Sequence, residues 1–214
     1  MFRMIKIRTA LSMMVFSLTA LLLLVGILGL VAVQSGNKSF ATVDTEVLPG
    51  LVALNDSSEL LLRGRLDLRL YESLVGNGET DKAKIALERA RGKVDNASAK
   101  WQEYLKYPQS SAEKPIAAEM AVTRDTLMKE FIDPAFAALE ADKRDGYRQR
   151  AGRSTALYGA FDKASKALVA FKIKSIDAAY DDASARVKRM EYTLYLCIAC
   201  ALVLAGLAWS VMTN

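Results

Sequence analysis

The chain contains no histidine, only two cysteines and only four prolines among its 214 residues. The absence of histidine excludes Ser-His and Cys-His nucleophilic chemistry and histidine-metal sites. Cys197 and Cys200 lie inside a long apolar run without further ligands, so we interpret them as small packing residues rather than as a redox or zinc pair. We therefore expect no catalytic residue, no metal and no cofactor.

Net positive charge is small outside the N-terminus. The net charge of +5 includes Arg3, Lys6 and Arg8, so the middle of the chain is nearly neutral. Nucleic-acid binding normally requires clustered basic residues on one face. The charge distribution therefore predicts no nucleic-acid partner.

Apolar and charged residues, at 52% and 25% of the chain, are segregated along it. Two runs, 10–33 and 192–212, carry no charge. At about 1.5 Å per helical residue each run spans a bilayer core of roughly 30 Å. The pattern predicts five segments: 1–9 as a cytoplasmic N-terminus, 10–33 and 191–212 as transmembrane helices, 34–190 as a charged domain between them, and 213–214 as the start of a cytoplasmic part.

A cleaved signal peptide is the alternative for the first run, because a basic start precedes an apolar stretch. A signal sequence usually has an apolar region of about 7–15 residues, which is shorter than this run, so we favour a retained anchor. The basic N-terminus should stay cytoplasmic, and long loops translocate largely regardless of charge. We expect a bacterial inner-membrane protein with both termini cytoplasmic and residues 34–190 periplasmic.

Helix breakers divide the central region. Gly76-Asn77-Gly78, Pro108 and Asp145-Gly146 predict three turns. The predicted helices are about 34–75, 80–106, 112–142 and 147–190, of which the first and last continue into the two spans and should be longest. Pro115 fits a first helical turn, whereas Pro49 and Pro134 predict kinks or breaks within the first and third helices.

Apolar residues recur at heptad spacing on the first and fourth of these helices. They are Leu54, Leu61, Leu68 and Val75, beside a line of Leu51, Ser58, Arg65 and Glu72, and then Leu157, Phe161, Leu168 and Phe171. No alternating strand pattern occurs. The prediction is an all-α fold, an up-down-up-down antiparallel four-helix bundle flanked by two transmembrane helices.

Arg65 and Arg69 are the main candidate binding residues. They lie four positions apart on one helix face, and Arg65 falls beside the core heptad, where a solvated charge is not expected. Two adjacent guanidinium groups repel each other unless an anion lies between them, and a carboxylate can accept bidentate hydrogen bonds from each. The hypothesis is a small-carboxylate site at a helix-helix seam.

Exposed salt bridges are the alternative, pairing Arg63 with Asp67 and Arg69 with Glu72. We favour the salt bridge for Arg63 and the ligand site for Arg65 and Arg69. Thr155 and Tyr158 could donate hydroxyls to the same ligand, although a tyrosine in a bundle core is commoner. For three aromatic residues at helical spacing, core packing is the favoured role: Trp101, Tyr104 and Tyr107.

A basic start, a span, four helices and a second span resemble the sensory half of methyl-accepting chemotaxis receptors of the aspartate/serine type. The opening Ile5-Lys6-Ile7-Arg8-Thr9-Ala10-Leu11 and Leu48-Pro49-Gly50-Leu51 are similar to that family. The segment Gly64-Arg65-Leu66-Asp67-Leu68-Arg69 is similar to its ligand-binding segment, in which Thr-Arg-x-Asn-Leu precedes a second arginine.

By this resemblance Arg65 matches the first ligand arginine, and Thr155 matches a threonine of the fourth helix across a gap. Arg69 comes one position early, Leu74 stands about where a third arginine would fall, and Asp67 replaces an asparagine. The resemblance implies a non-enzymatic receptor that binds ligand at a homodimer interface.

The expected function is a transmembrane chemoreceptor sensor module that binds a small organic acid or acidic amino acid and signals by a helix shift. Such receptors continue into a cytoplasmic output module, which we expect beyond Asn214 or in a partner. A periplasmic binding protein is a further candidate partner. The alternatives are an interaction or structural bundle without a small-molecule pocket, and the sensor of a membrane histidine kinase or cyclase.

Overall fold

The computed structural model of the protein describes residues 2–141 and 143–213, with side chains described for most residues between 12 and 206. No strand occurs in these ranges, so the predicted all-α class is confirmed. The elements, in chain order, are α1 (Phe2–Thr42), a π-helical turn (Val43–Val47), α2 (Leu48–Gly76), α3 (Thr80–Tyr104), α4 (Glu113–Leu127), a second π-helical turn (Met128–Ile132), α5 (Asp133–Glu140) and α6 (Arg144–Thr213).

The chain divides into two compact units. One is Val43–Ile176, and the other combines Met1–Thr42 with Asp177–Asn214. The longest helices are α1 and α6, at 41 and 70 residues, and the predicted first helix 34–75 is divided among α1, the first π-helical turn and α2. The predicted spans 10–33 and 192–212 fall within these helices, and several of their side chains lie outside the described residues. Among the residues that are described, no helix is both long and apolar enough to cross a membrane, so the spans stay predictions.

Both prolines for which kinks or breaks were predicted lie beside an interruption of the α-helical pattern, a π-helical turn in each case. Pro49 and Pro134 each lie at the start of an α-helix that directly follows such a turn. Proline has no N–H, so the carbonyl four residues earlier loses its usual donor. Those carbonyls belong to Thr45 and Glu130, in the middle of the two turns, where a π-helical pattern takes the donor five residues on instead.

The turn predicted at Asp145-Gly146, before the last helix, is wrong. These two residues lie in the first turn of α6, and Ala141 and Lys143 lie outside the helices. The amide of Lys143 donates to the carbonyl of Ala138 at 2.8 Å, which closes the end of α5. Among the described glycines only Gly78, in the predicted Gly76-Asn77-Gly78 turn, has a positive φ, of 79°.

The heptad lines occupy the core of the unit Val43–Ile176. Leu54, Leu61 and Leu68 of α2 are fully buried, and so are Phe161 and Leu168 of α6. They belong to one apolar cluster that also contains residues of α3, α4 and α5. These residues therefore pack as a helical bundle.

Polar pairs define which helices are neighbours in this bundle. From α2 to α3, Ser57 donates to the carbonyl of Ala97 at 2.8 Å, and Asp67 pairs with Lys93 at 2.6 Å. The residue number of the α3 partner falls as the residue number on α2 rises, so the two helices run in opposite directions. Gly64 permits their close approach, since a Cβ there would lie 3.2 Å from Cγ2 of Val94.

The seam between α2 and α6 also runs in opposite directions. Its polar pairs are Ser58 with Ser165 at 2.7 Å, Arg65 with Thr155 at 3.1 Å and Glu72 with Arg148 at 3.0 Å. Ser58, Arg65 and Glu72 form the line beside the core heptad of α2. That line is therefore the face of α2 that meets α6.

Candidate functional site

Three of the four predicted site residues are in contact at the α2–α6 seam. Arg65, on α2, donates from Nη2 to Oγ1 of Thr155 on α6. Its guanidinium group lies over the ring of Tyr158, one turn further along α6, with Cζ 4.5 Å from the ring centroid. A cation over an aromatic face is attracted by the ring electrons. These contacts hold the guanidinium of Arg65 in one orientation.

Arg69, the fourth candidate, is exposed and lies one turn further along α2. Burial lowers the pKa of Arg65, and the positive charge of Arg69 lowers this pKa further. Within the described residues neither arginine forms an ion pair with a carboxylate. Arg65 and Arg69 are thus two neighbouring cations that have no carboxylate partner among the described residues.

Two buried polar atoms at this seam have no hydrogen-bond partner. They are Nε of Arg65 and the hydroxyl of Tyr158. Burial raises the pKa of Tyr158, against the opposing effect of the Arg65 charge, so its hydroxyl stays protonated at neutral pH. An unpaired buried polar group costs about 1–3 kcal/mol. Native structures contain few such groups, and binding sites are one place where they are retained.

The predicted salt bridges of α2 have other partners than expected. Arg63 pairs with Glu59, one turn earlier on the same helix, rather than with Asp67. Asp67 turns inward and pairs with Lys93 of α3. The correction follows from the packing, since Asp67 faces α3 and is buried.

Glu72 does not neutralise Arg69, although the sequence spacing allows it. It accepts a hydrogen bond from Nε of Arg148 at 3.0 Å. Glu72 lies on the line that meets α6, whereas Arg69 lies on the exposed side. The alternative of an Arg69–Glu72 salt bridge is therefore wrong, since Glu72 pairs with Arg148.

Tyr147 belongs to the same cluster and was not predicted. It is buried near the start of α6, and its ring centroid lies 6.2 Å from that of Phe131. Burial raises its pKa, as does the nearby charge of Glu72, while Arg69 and Arg65 lower it. Its spacing of eleven residues from Tyr158 is close to three helical turns, so both rings lie on one face of α6. That spacing was a readable signal.

The aromatic residues of α3 take the core role that was favoured for them. Trp101 and Tyr104 are buried, with ring centroids 5.1 Å apart. Tyr107, just past the end of α3, is half-buried and lies in van der Waals range of a Cβ built on Gly50. They are not part of the Arg65 cluster.

Tyr158→Phe separates a structural role of the hydroxyl from a binding role. Because the hydroxyl is buried without a partner, its removal is expected to raise the free energy of unfolding by about 1 kcal/mol. If the hydroxyl binds ligand, the same variant should bind a carboxylate more weakly. Urea unfolding and calorimetry on the full chain measure the two effects, and a loss of stability would contradict the assignment of an unpaired hydroxyl.

Comparison with known proteins gives one family. The model of the Tar ligand binding domain homologue family matches residues 1–176, which is most of the 214-residue chain. No curated protein and no solved structure shows significant similarity to the chain. The family consists of non-enzymatic ligand-binding sensors of chemoreceptors, and the helical bundle fits that role. The chain therefore belongs to the Tar ligand binding domain homologue family, and its central bundle is a periplasmic chemoreceptor sensor domain.

Proposed function

We propose that the protein is the sensor module of a transmembrane chemoreceptor and binds a small carboxylate at Arg65, Arg69, Thr155 and Tyr158. One observation supports this most strongly. The guanidinium of Arg65 is oriented by Thr155 and Tyr158 at a helix seam, yet it has no acidic partner among the described residues. A carboxylate would supply the missing negative charge.

The chemistry of the site favours a carboxylate over a neutral ligand. Guanidinium groups present parallel N–H donors that match the two oxygens of a carboxylate, and charged hydrogen bonds are about twice as strong as neutral ones. An anion between Arg65 and Arg69 also adds two attractions that outweigh the repulsion between the two guanidinium groups. An organic acid or an acidic amino acid is the proposed ligand class.

A second copy of the chain is proposed to complete the site. Leu66 and Leu70 of α2 flank Arg69 and are 62% and 41% exposed, and Val52 on the same helix is 55% exposed. Apolar side chains beside an exposed cation favour an interface that covers them. A homodimer packed through α2 would cover this surface and enclose a ligand held by Arg69.

The proposed setting is the bacterial inner membrane. Residues 10–33 and 191–212 would form the two transmembrane helices, with both termini cytoplasmic and residues 34–190 periplasmic as an up-down-up-down four-helix bundle. The opposite directions of α2 with α3 and of α2 with α6 support that topology. Ligand binding would favour one of two packings of the bundle, and a shift of α6 would carry the signal towards the cytoplasm.

A second candidate is recognition of a periplasmic binding protein rather than of a free ligand. The small cavity beside this cluster has a volume of about 10 Å³, enough for about one water. Its lining consists of Tyr71, Glu72, Val75, Leu139, Tyr147 and Arg148. A carboxylate of a partner protein could reach Arg69 from outside without needing a larger enclosed space.

Calorimetric titration of the full chain with paired compounds tests the proposal. A panel of monocarboxylates, dicarboxylates and acidic amino acids is compared with the corresponding amides, which keep the shape and remove the charge. At least one acid is expected to bind, and its amide should bind at least about 10-fold more weakly. If no acid binds, or if amides bind equally well, the carboxylate proposal is wrong.

A further inference from the structure

An ion pair between α4 and α6 lies in the interior of the bundle, away from the Arg65 cluster. Nζ of Lys172 on α6 lies 2.8 Å from Oε1 of Glu113, the first residue of α4. The two side chains are only 3% and 5% exposed. Tyr104 of α3 donates its hydroxyl to the same Oε1 at 2.8 Å. Three helices therefore meet at one carboxylate oxygen.

The Glu113–Lys172 pair is the last of four polar contacts between α6 and the helices beside it. Going along α6, these contacts are Arg148 with Glu72, Thr155 with Arg65, Ser165 with Ser58 and Lys172 with Glu113. Lys172 comes four residues before Ile176, where the bundle unit ends. The 17 residues from Thr155 to Lys172 correspond to about 25 Å of helix. Of these four contacts, only the last joins two buried charges.

Buried charges resist sliding more than apolar contacts do. Apolar packing is non-directional, so small axial movements of a helix exchange one contact for a similar one. An ion pair loses attraction as its two charges separate, and neither partner here can be solvated instead. The aliphatic part of the Lys172 side chain is buried, so it cannot rearrange to keep the contact with Glu113 when α6 moves. An axial shift of α6 must therefore strain or break this pair.

We propose that the Glu113–Lys172 pair sets the axial register of α6 against α3 and α4. Its part in signalling rests on the proposed function, because α6 is the helix that would carry the shift. A bundle without the pair would hold α6 in a broader range of positions. The pair thus limits how far α6 moves and which of two packings is occupied.

Distances between two spin labels test this in the full chain without added ligand. The labels are placed at Arg89 of α3 and Lys174 of α6, both exposed, after both native cysteines are replaced by serine. Tyr104 lies 15 residues beyond Arg89 and hydrogen-bonds the Glu113 carboxylate that pairs with Lys172, so the labels are separated mainly along the bundle axis. The test protein is the triple variant Tyr104→Phe/Glu113→Leu/Lys172→Met, which leaves no member of the cluster unpaired.

The triple variant is expected to show a distance distribution broader than wild type, or displaced by an ångström or more. The reversed pair Glu113→Lys/Lys172→Glu is the matched control, combined with Tyr104→Phe because a lysine at 113 cannot accept the tyrosine hydroxyl, and it should keep the wild-type distribution. Glu113→Gln keeps the side-chain shape and an acceptor for Tyr104 and introduces no new apolar side chain. It should also broaden the distance distribution, because it removes the charge that pairs with Lys172. Cooperative unfolding of each variant shows that it is folded.

The inference is overturned if both the triple variant and Glu113→Gln give the wild-type distribution. Its failure differs from failure of the proposed function, which calorimetry measures separately. If an acid binds but the variants give the wild-type distance distribution, the register role is wrong and the carboxylate site is kept. If the variants broaden the distance distribution but the protein binds no acid, the register role is kept and the carboxylate site is wrong.

Discussion

Lys172→Met is expected to lower the free energy of unfolding by about 3–5 kcal/mol. The substitution removes one charge of a pair whose side chains are 3% and 5% exposed, and it leaves Glu113 buried without a counter-charge. Tyr104 would still donate to Glu113. One hydrogen bond does not offset the loss of the lysine. Urea unfolding of the full chain, followed by tryptophan fluorescence, measures the difference.

Lys166→Met is the matched control for this prediction. Lys166 is on the same helix and pairs with Asp162 at 2.6 Å, but its side chain is 76% exposed. An exposed pair contributes about 0.2–1 kcal/mol at most. The triple variant Tyr104→Phe/Glu113→Leu/Lys172→Met should recover most of the lost stability, because it removes every buried polar group of the cluster. Equal effects of Lys172→Met and Lys166→Met would show that the Glu113 pair is not buried as described.

Arg65→Ala is expected to weaken carboxylate binding by at least about 100-fold, which corresponds to about 2.7 kcal/mol. It removes a charge already oriented by Thr155 and Tyr158, and truncating one partner of a hydrogen-bonded charge pair typically costs about 2–5 kcal/mol of binding free energy. Stability should change much less, by about 1 kcal/mol or less, because the removed charge has no acidic partner among the described residues. A large affinity loss with a small stability change marks a binding residue.

Arg65→Lys tests whether geometry matters in addition to charge. Lysine keeps the positive charge but loses the planar fork and the spread of charge over the Tyr158 ring. Binding is expected to be intermediate between wild type and Arg65→Ala. If Arg65→Lys binds as well as wild type, Arg65 acts only as a point charge.

The sequence was sufficient where the structure depends on local periodicity. The heptad of Leu54, Leu61 and Leu68 predicted the buried face of α2, and the neighbouring line correctly placed Arg65 at a helix seam. Helical spacing on α6 likewise placed Thr155 and Tyr158 one turn apart, and both contact Arg65. Patterns of this kind depend only on the number of residues per turn.

Partner choice between helices could not be predicted in the same way. Asp67 and Glu72 have suitable arginines on their own helix, yet they pair with Lys93 and Arg148 of other helices. That choice depends on how two helices are aligned along their axes, and no residue spacing within one helix contains this information. The same holds for Tyr147, whose role depends on the neighbours that packing provides.

The Glu113–Lys172 pair was missed for a different reason. Charged residues in amphipathic helices are normally interpreted as solvent-facing, and both residues fit that expectation in sequence. Their burial follows from the loop between α3 and α4, which brings the first turn of α4 beside Tyr104. The break at Ala141 and Lys143 was misplaced because the end of α5 is closed by the amide of Lys143 and needs no glycine.

The most direct measurement of the central claim is a calorimetric titration of one acid into three proteins: wild type, Arg65→Ala and Arg63→Ala. Arg63 is two positions away, is exposed and pairs with Glu59, so it matches Arg65 in type but not in setting. The account predicts that Arg63→Ala binds the acid within about threefold of wild type, whereas Arg65→Ala loses at least about 100-fold. Equal binding by Arg65→Ala and wild type would contradict the assignment of the carboxylate site to the α2–α6 seam.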